Sequence, residues 1–500
     1  MNWTNYYQSV VASLIVPVNT TCQVILQALP KNIQIQDSCS FYEQVLFKEE
    51  SLHDISRGGF TSVWLPPPSK SVQLEGYLPG GLYDLDSFYG SQVSLERLVL
   101  VLKERGLQVW IDWPLKRRCL KEQDPTTRSH MFVTRPIWTA DCLKYAFSSF
   151  HRTTSHVGYP KLLVRSTSHN GLDTTIPVDL NNSKVRQDLL QWVSWLENQL
   201  SMDGVVCDGV QMEDIPFLLE LIKHEESRWK AISPQPMLSL SSPTYEEEEK
   251  EEEVEQPSFL SSSQEREWKE PFIYSPLTPN EYLSIALVKV EFSQDSDGRL
   301  AYDQSLATEQ LFEFIQSTHR SYALIDTVSR TILETALIFQ EYWRLIDKEA
   351  RLVGLLGRAS DRAITVLNMV DLLANMEREY VETGGGGWVI CKTQRCDFPD
   401  AHILKGYAYL LTHPGIPCIH WDHYFDERWR QGIEELIQVR RGCHIHASST
   451  VYIESACAEY YAAFVDKHVA VKIGRGDWHP NGPCWELCTF GWEYAVWKRK

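Results

Sequence analysis

The sequence predicts a (β/α)8 TIM barrel with an irregular insertion after strand 3 and a C-terminal antiparallel β-sheet domain. Three observations carry this. Short runs of β-branched and aromatic residues alternate with amphipathic stretches of helical period along most of the chain, and about eight such runs can be counted. Several of them end in an acid: LQVWID at Asp112, GVVCD at Asp208 and LSIALVKVE at Glu291. Acids gathered at strand ends fit the carboxyl edge of a parallel barrel, the face on which such barrels place their chemistry. From residue 444 onward the pattern changes to β-rich runs separated by turns, TVYIES, YYAAFVD, HVAVKIG and YAVWK, which suit a small antiparallel sheet.

Taken in order, residues 22–29 (CQVILQAL) form the first strand, preceded by an extension over residues 1–20. Residues 61–65 (TSVWL) form a second, bounded by glycines before it and by Pro66, Pro67 and Pro68 after it, which cannot continue a ladder. The loop that follows holds Tyr77 between Gly76 and Leu78-Pro79, then Tyr83, Asp84 and Asp86. A flat ring and acceptors are thus carried on backbone of restricted freedom, a combination suited to a sugar, with Tyr77 as a stacking platform. Residues 95–105 read as a helix leading to strand 107–112, and residues 185–200 as a helix with Leu189, Trp192, Val193 and Leu196 on one face, leading to strand 204–208. Strands are expected at 283–291, 322–326, 363–368 and 416–421, and helices at 333–345 and 401–412. These elements divide the chain into an extension (1–20), barrel segments (21–112, 179–226 and 271–441), the irregular insertion (113–178), an acidic insertion (227–270) and the C-terminal domain (442–500).

Composition bounds the function. With 500 residues, 43% of them hydrophobic, the chain buries a large core. A net charge of −18 argues against nucleic acid or an anionic membrane as partner, and a neutral glucan suits it. Twelve cysteines are too dispersed for a disulfide scaffold or paired zinc spacing. The apolar patch near the start is too short for a membrane span and lacks the basic flank of a signal peptide, so the expected location is cytoplasmic. Residues 227–270 are rich in Ser, Pro and Glu, with eight Glu among residues 246–255, and read as a disordered, solvated tether. The alternative is a docking element for a basic protein partner.

The motifs WLPPPS (64–69), EGYLPGGLYDLD (75–86) and YAYLLTHPGIPC (407–418), with the ending EYAVWKRK, resemble the plant-type α-amylases, retaining hydrolases of α-glucans. The resemblance implies an irregular domain after the third strand and a catalytic set of Asp208, Glu291 and Asp371. Asp112 and Tyr77 would bind substrate. Retaining hydrolysis needs a carboxylate nucleophile and a protonated carboxylic acid about 5–5.5 Å away.

The departures from the family pattern fall on these motifs. In DGVVCD, Val206 stands where the family has an arginine two residues before the nucleophile. In RAITVLNMVD, Met369 and Val370 replace the Asn-His before the third acid, and after Asp112 the family's Asn-His is replaced by Lys116 and Arg117. The lost arginine would keep the nucleophile ionised, and the lost histidines would bind the reacting sugar ring. Lys116 replaces an asparagine that the family uses as a calcium ligand, so no cofactor is expected. Two functions stay open: a catalytically impaired relative (a pseudoenzyme) with an α-glucan-binding or structural role, or an active α-amylase cutting internal α-1,4 bonds.

Overall fold

The computed structural model describes residues 22–30, 40–47, 49–71, 75–119, 122–123, 130–131, 135–138, 142, 175–232, 284–368, 380–383, 387–390 and 397–500. Residues 1–20, the acidic insertion beyond residue 232, and Asp371 with its neighbours Met369 and Val370 lie outside them.

Eight parallel strands close into a barrel: β1 (Ile25–Gln27), β2 (Ser62–Leu65), β3 (Gln108–Trp113), β4 (Gly204–Val210), β5 (Ser284–Val288), β6 (Tyr322–Ile325), β7 (Ala363–Thr365) and β8 (Ile416–His420), which pairs with β1. Every strand position expected from sequence is occupied. The strands are buried on both faces, which is why they read as continuous apolar runs. One set of alternating residues, among them Ile25, Trp64, Trp110, Val206, Ile285 and Ile364, fills the interior. The other set packs outward against the helices.

Among the described residues the α-helices longer than one turn are α1 (Phe41–Phe47), α2 (Glu49–Arg57), α3 (Gln92–Glu104), α4 (Ser183–Leu200), α5 (Ile215–Ile232), α6 (Ser305–Ser317), α7 (Thr327–Phe339), α8 (Ile403–Thr412) and α9 (Glu427–Gly442). Side-chain caps set several starts: Ser91 accepts from Ser94 N, Asn182 from Lys184 N and Asp326 from Ser329 N. Two expected helix boundaries move. The helix expected at 333–345 begins at Thr327 on its Asp326 cap and ends at Phe339, where Gln340 turns left-handed. Helix α5 runs to Ile232, so residues 227–232, expected to open the disordered insertion, are helical. The base of the irregular insertion is a short antiparallel ribbon of Arg117–Cys119 with Thr175–Pro177.

Five antiparallel strands form the C-terminal sheet, β9 (Val451–Ala456), β10 (Tyr460–Val465), β11 (Val469–Gly474), β12 (Trp485–Gly491) and β13 (Tyr494–Arg499), in the order β9-β10-β11-β13-β12. A buried ion pair joins it to the barrel, Lys405 Nζ on α8 to Glu493 Oε2 at 2.7 Å. Burial works to raise the Glu493 pKa, but Lys405 and Arg475 outweigh it, and the carboxyl stays below its ordinary range. The THPGIP stretch is explained by Arg440, fully buried, whose guanidinium donates to the carbonyls of Leu411, His413 and Gly415. Gly415 has φ of +89°, and a Cβ there would lie 2.8 Å from Leu356 Cδ2, so only glycine makes this turn.

One buried acid lies outside the site. Glu225 on α5 is 4% exposed, beside Ser284, Cys207 and Tyr322. Burial pushes its carboxyl up to about 8, eased only by the Ser284 hydroxyl. The folded chain therefore holds a proton that the unfolded chain releases near the ordinary value, and stability falls as pH rises across that interval. We expect chemical denaturation of Glu225→Gln to lose that slope, about 1.4 kcal/mol per pH unit, and the variant to exceed the wild type in stability at pH 8–9. Parallel profiles would show that Glu225 is not protonated in the folded chain.

Candidate active site at the carboxyl ends of the strands

The barrel interior builds the site by a simple count of two. Trp110 on β3 and Val206 on β4 both point inward, so Asp112 and Asp208, two residues further along each strand, face the interior nearer the carboxyl edge. The register pairs Gly204 with Trp110 and Val206 with Asp112. Past Cys207 the pairing of β4 with β5 shifts at a bulge, where Gly209 takes φ of +63°. Asp208 is delivered at this break, and it is 5% exposed.

Tyr77 closes the pair from above. Its hydroxyl donates to Asp112 Oδ2 at 2.5 Å. The ring is 3% exposed and packs with the barrel's interior cluster, so it is not presented to solvent as the open stacking platform expected from its Gly-Tyr-Leu-Pro setting. The cause is Asp112, which draws the hydroxyl inward. Asp112 itself is fully buried, and burial pushes its carboxyl well above the ordinary carboxylate range; the Tyr77 hydrogen bond opposes this and the Asp208 charge adds to it. None of the leading influences on Asp112 is a cation. Burial, with the charges of Asp112 and Asp208, likewise holds the Tyr77 hydroxyl well above its ordinary value.

The three expected catalytic acids are placed differently. Asp208 stands in the buried layer with Asp112. Glu291 lies three residues past the end of β5 and is exposed, its backbone N–H donating to Gln310 Oε1 on α6 at 3.1 Å. The strand expected to run to Glu291 stops at Val288, because the chain turns out toward α6. Asp371 lies outside the described residues.

Sequence reasoning passed over a polar network behind the ends of β7 and β8. Asn368 accepts from Phe398 N and meets His423 Nε2 at 3.1 Å, while the other ring nitrogen of His423 meets the Tyr407 hydroxyl at 2.8 Å. That hydroxyl accepts from His420 N at 3.0 Å. The signal was available in HWDHYF, where His420 and His423 follow the last strand directly. A cleft of about 830 Å³ lies elsewhere, on the outer surface along α4 and α5, lined by Arg186, Leu190, Trp195, Glu220 and His224 among others. It is remote from the carboxyl pair in the fold, since α4 and α5 cover the barrel's exterior.

This geometry has known counterparts. Residues 442–498 match the family described as the alpha-amylase C-terminal beta-sheet domain. The chain is 30% identical over 450 residues to Probable alpha-amylase 2 of Arabidopsis thaliana, covering 89% of this chain and 88% of that one. It is 26% identical over 454 residues to Alpha-amylase 3, chloroplastic, of the same plant, covering 90% of this chain and 42% of the relative. Among solved structures, an Anoxybacillus α-amylase superposes with a TM-score of 0.53 over 96% of this chain and 98% of its own, at 13% identity, which speaks for the fold. A closed barrel carrying a buried carboxyl pair at its strand ends, an antiparallel C-terminal sheet and a plant relative matched over nearly its whole length together show that the chain belongs to the α-amylase family.

Proposed function

We propose that this protein is a catalytically impaired member of the family, kept for an α-glucan-binding or structural role in the cytoplasm. The observation that carries the reading is Val206. It sits in register with Asp112 and two residues before Asp208, packed among Trp64, Trp110 and Ile285, where the family's arginine would lie against both acids. A guanidinium there would favour both carboxylates; an isopropyl group in a dry layer favours neither. Burial and the Asp208 charge push the Asp112 carboxyl well above the ordinary carboxylate range, and no cation among the described residues is a leading influence on it. The exposed position of Glu291 supports the same reading, because a general acid works best partly desolvated beside its bond. Replacement of the two sugar-binding histidine positions by Arg117 and Val370 removes further transition-state contacts, each worth about 1–3 kcal/mol.

What remains suits binding. Asp208 keeps an acceptor at the end of β4, close to the carboxyl edge where a glucan would approach. No helix among the described residues is long and apolar enough to cross a membrane. The second reading, an active α-amylase, is favoured by one observation: Asp208 keeps its buried place at the end of β4.

The two readings separate in one assay. Purified protein should release reducing ends from soluble starch and maltoheptaose no faster than Asp208→Asn, while affinity electrophoresis in amylopectin gels still retards it. An Asp208-dependent rate would establish the active enzyme. Absence of retardation together with absence of hydrolysis would leave the structural role alone.

A further inference from the structure

Lys116 stands where the family places a calcium-ligating asparagine, and its surroundings show what the ammonium does there. It lies three residues past the end of β3, is 16% exposed, and reaches across the strand ends to the loop after β4. Its Nζ is 2.5 Å from Asp214 Oδ2, a carboxylate 4% exposed, and donates to Gln211 Oε1 at 3.1 Å. The same Asp214 oxygen accepts from Gln211 N at 2.8 Å, closing the turn Met212–Asp214 that opens α5. On the other side, the Lys116 carbonyl accepts from Val178 N at 2.9 Å, where the chain returns from the irregular insertion toward α4. One residue therefore ties together three segments: the exit of β3, the return of the insertion and the loop between β4 and α5.

A calcium ion does not fit this arrangement. It requires about six to eight oxygen ligands at roughly 2.3–2.6 Å. Here the carboxylate and the amide oxygen are already turned onto an ammonium, which would repel a dication at that distance. No cluster of three or more His, Cys, Asp or Glu side chains able to hold a metal occurs among the described residues.

We propose that the Lys116 ammonium is a covalently attached substitute for a bound cation, making the junction of β3, the insertion and the β4–α5 loop independent of any dissociable metal. A lysine carries one charge where calcium carries two, and among the described residues its side-chain acceptors are correspondingly few: one carboxylate and one neutral amide. Because the pair is nearly dry, removing either partner strands the other. The proposal is independent of whether the protein hydrolyses glucans.

The test uses thermal melting of the full chain in chelator and in millimolar calcium. The wild type should melt at the same temperature in both. Lys116→Met, which keeps most of the apolar stem, should melt several degrees lower in both media, and Asp214→Asn should also melt lower. The double variant should lose less than the sum of the two, because neither charge is then left alone. A fall in the wild-type melting temperature in chelator, reversed by calcium, would overturn the proposal without reference to any variant. So would a Lys116→Met protein that melts with the wild type. Should Lys116→Met fail to fold, Asp214→Asn and the wild-type arm still decide: an unchanged Asp214→Asn melt contradicts the ion pair, and a lowered one supports it.

Discussion

The alternation of side chains inside the barrel is the constraint from which the rest of the site follows. Inward-facing residues of β3 and β4 come at every second position, so the identity of the layer below fixes the electrostatics of the layer above. Here the inward-facing neighbours are Trp64, Trp110, Val206 and Ile285, of which only Trp64, through its indole hydrogen bond to Asp112, favours the charged form of that acid. Asp112, in register with Val206, is fully buried and feels the charge of Asp208. The low local polarisability then does what it must to two neighbouring acids: it favours the state with fewer charges. Tyr77 responds to the same field, swinging its hydroxyl onto Asp112 and its ring out of reach of solvent.

The scaffold around this layer is intact in a way the site is not. Arg440 grips three carbonyls of the turn before β8, Lys405 anchors the C-terminal sheet through Glu493, and Lys116 joins the loops after β3 and β4. Each is a buried or nearly buried cation held by protein oxygens. Fold and chemistry are separable properties of a barrel.

Much of the fold was legible in the sequence because buried parallel strands leave a strong trace: short β-branched runs bounded by Gly and Pro, as in TSVWLPPP, or by an acid, as in GVVCD. The count of two that aligns Val206 with Asp208 was equally readable. What sequence could not supply lies where the chain leaves regular structure. Glu291 was assigned to a strand end because LSIALVKVE has no turn residue to mark the exit at Val288; only Gln310, nineteen positions away, shows where the backbone goes. Tyr77 was read as a platform because the reach of its hydroxyl to Asp112 depends on a loop closing over the barrel. Asp214 was overlooked as a partner for Lys116, although an acid three residues after Gln211 and just before an apolar run is a helix-start signal that places it there.

The central claim is that Val206 leaves Asp112 protonated in the folded protein at neutral pH. Infrared difference spectroscopy measures this directly, since a protonated carboxyl has a carbonyl stretch separate from that of a carboxylate. The wild type minus Asp112→Asn difference at pH 7 should contain the protonated-acid band, and Val206→Arg should remove it by restoring a cation beside the pair. A difference spectrum showing only carboxylate bands for Asp112 in the wild type would contradict the account.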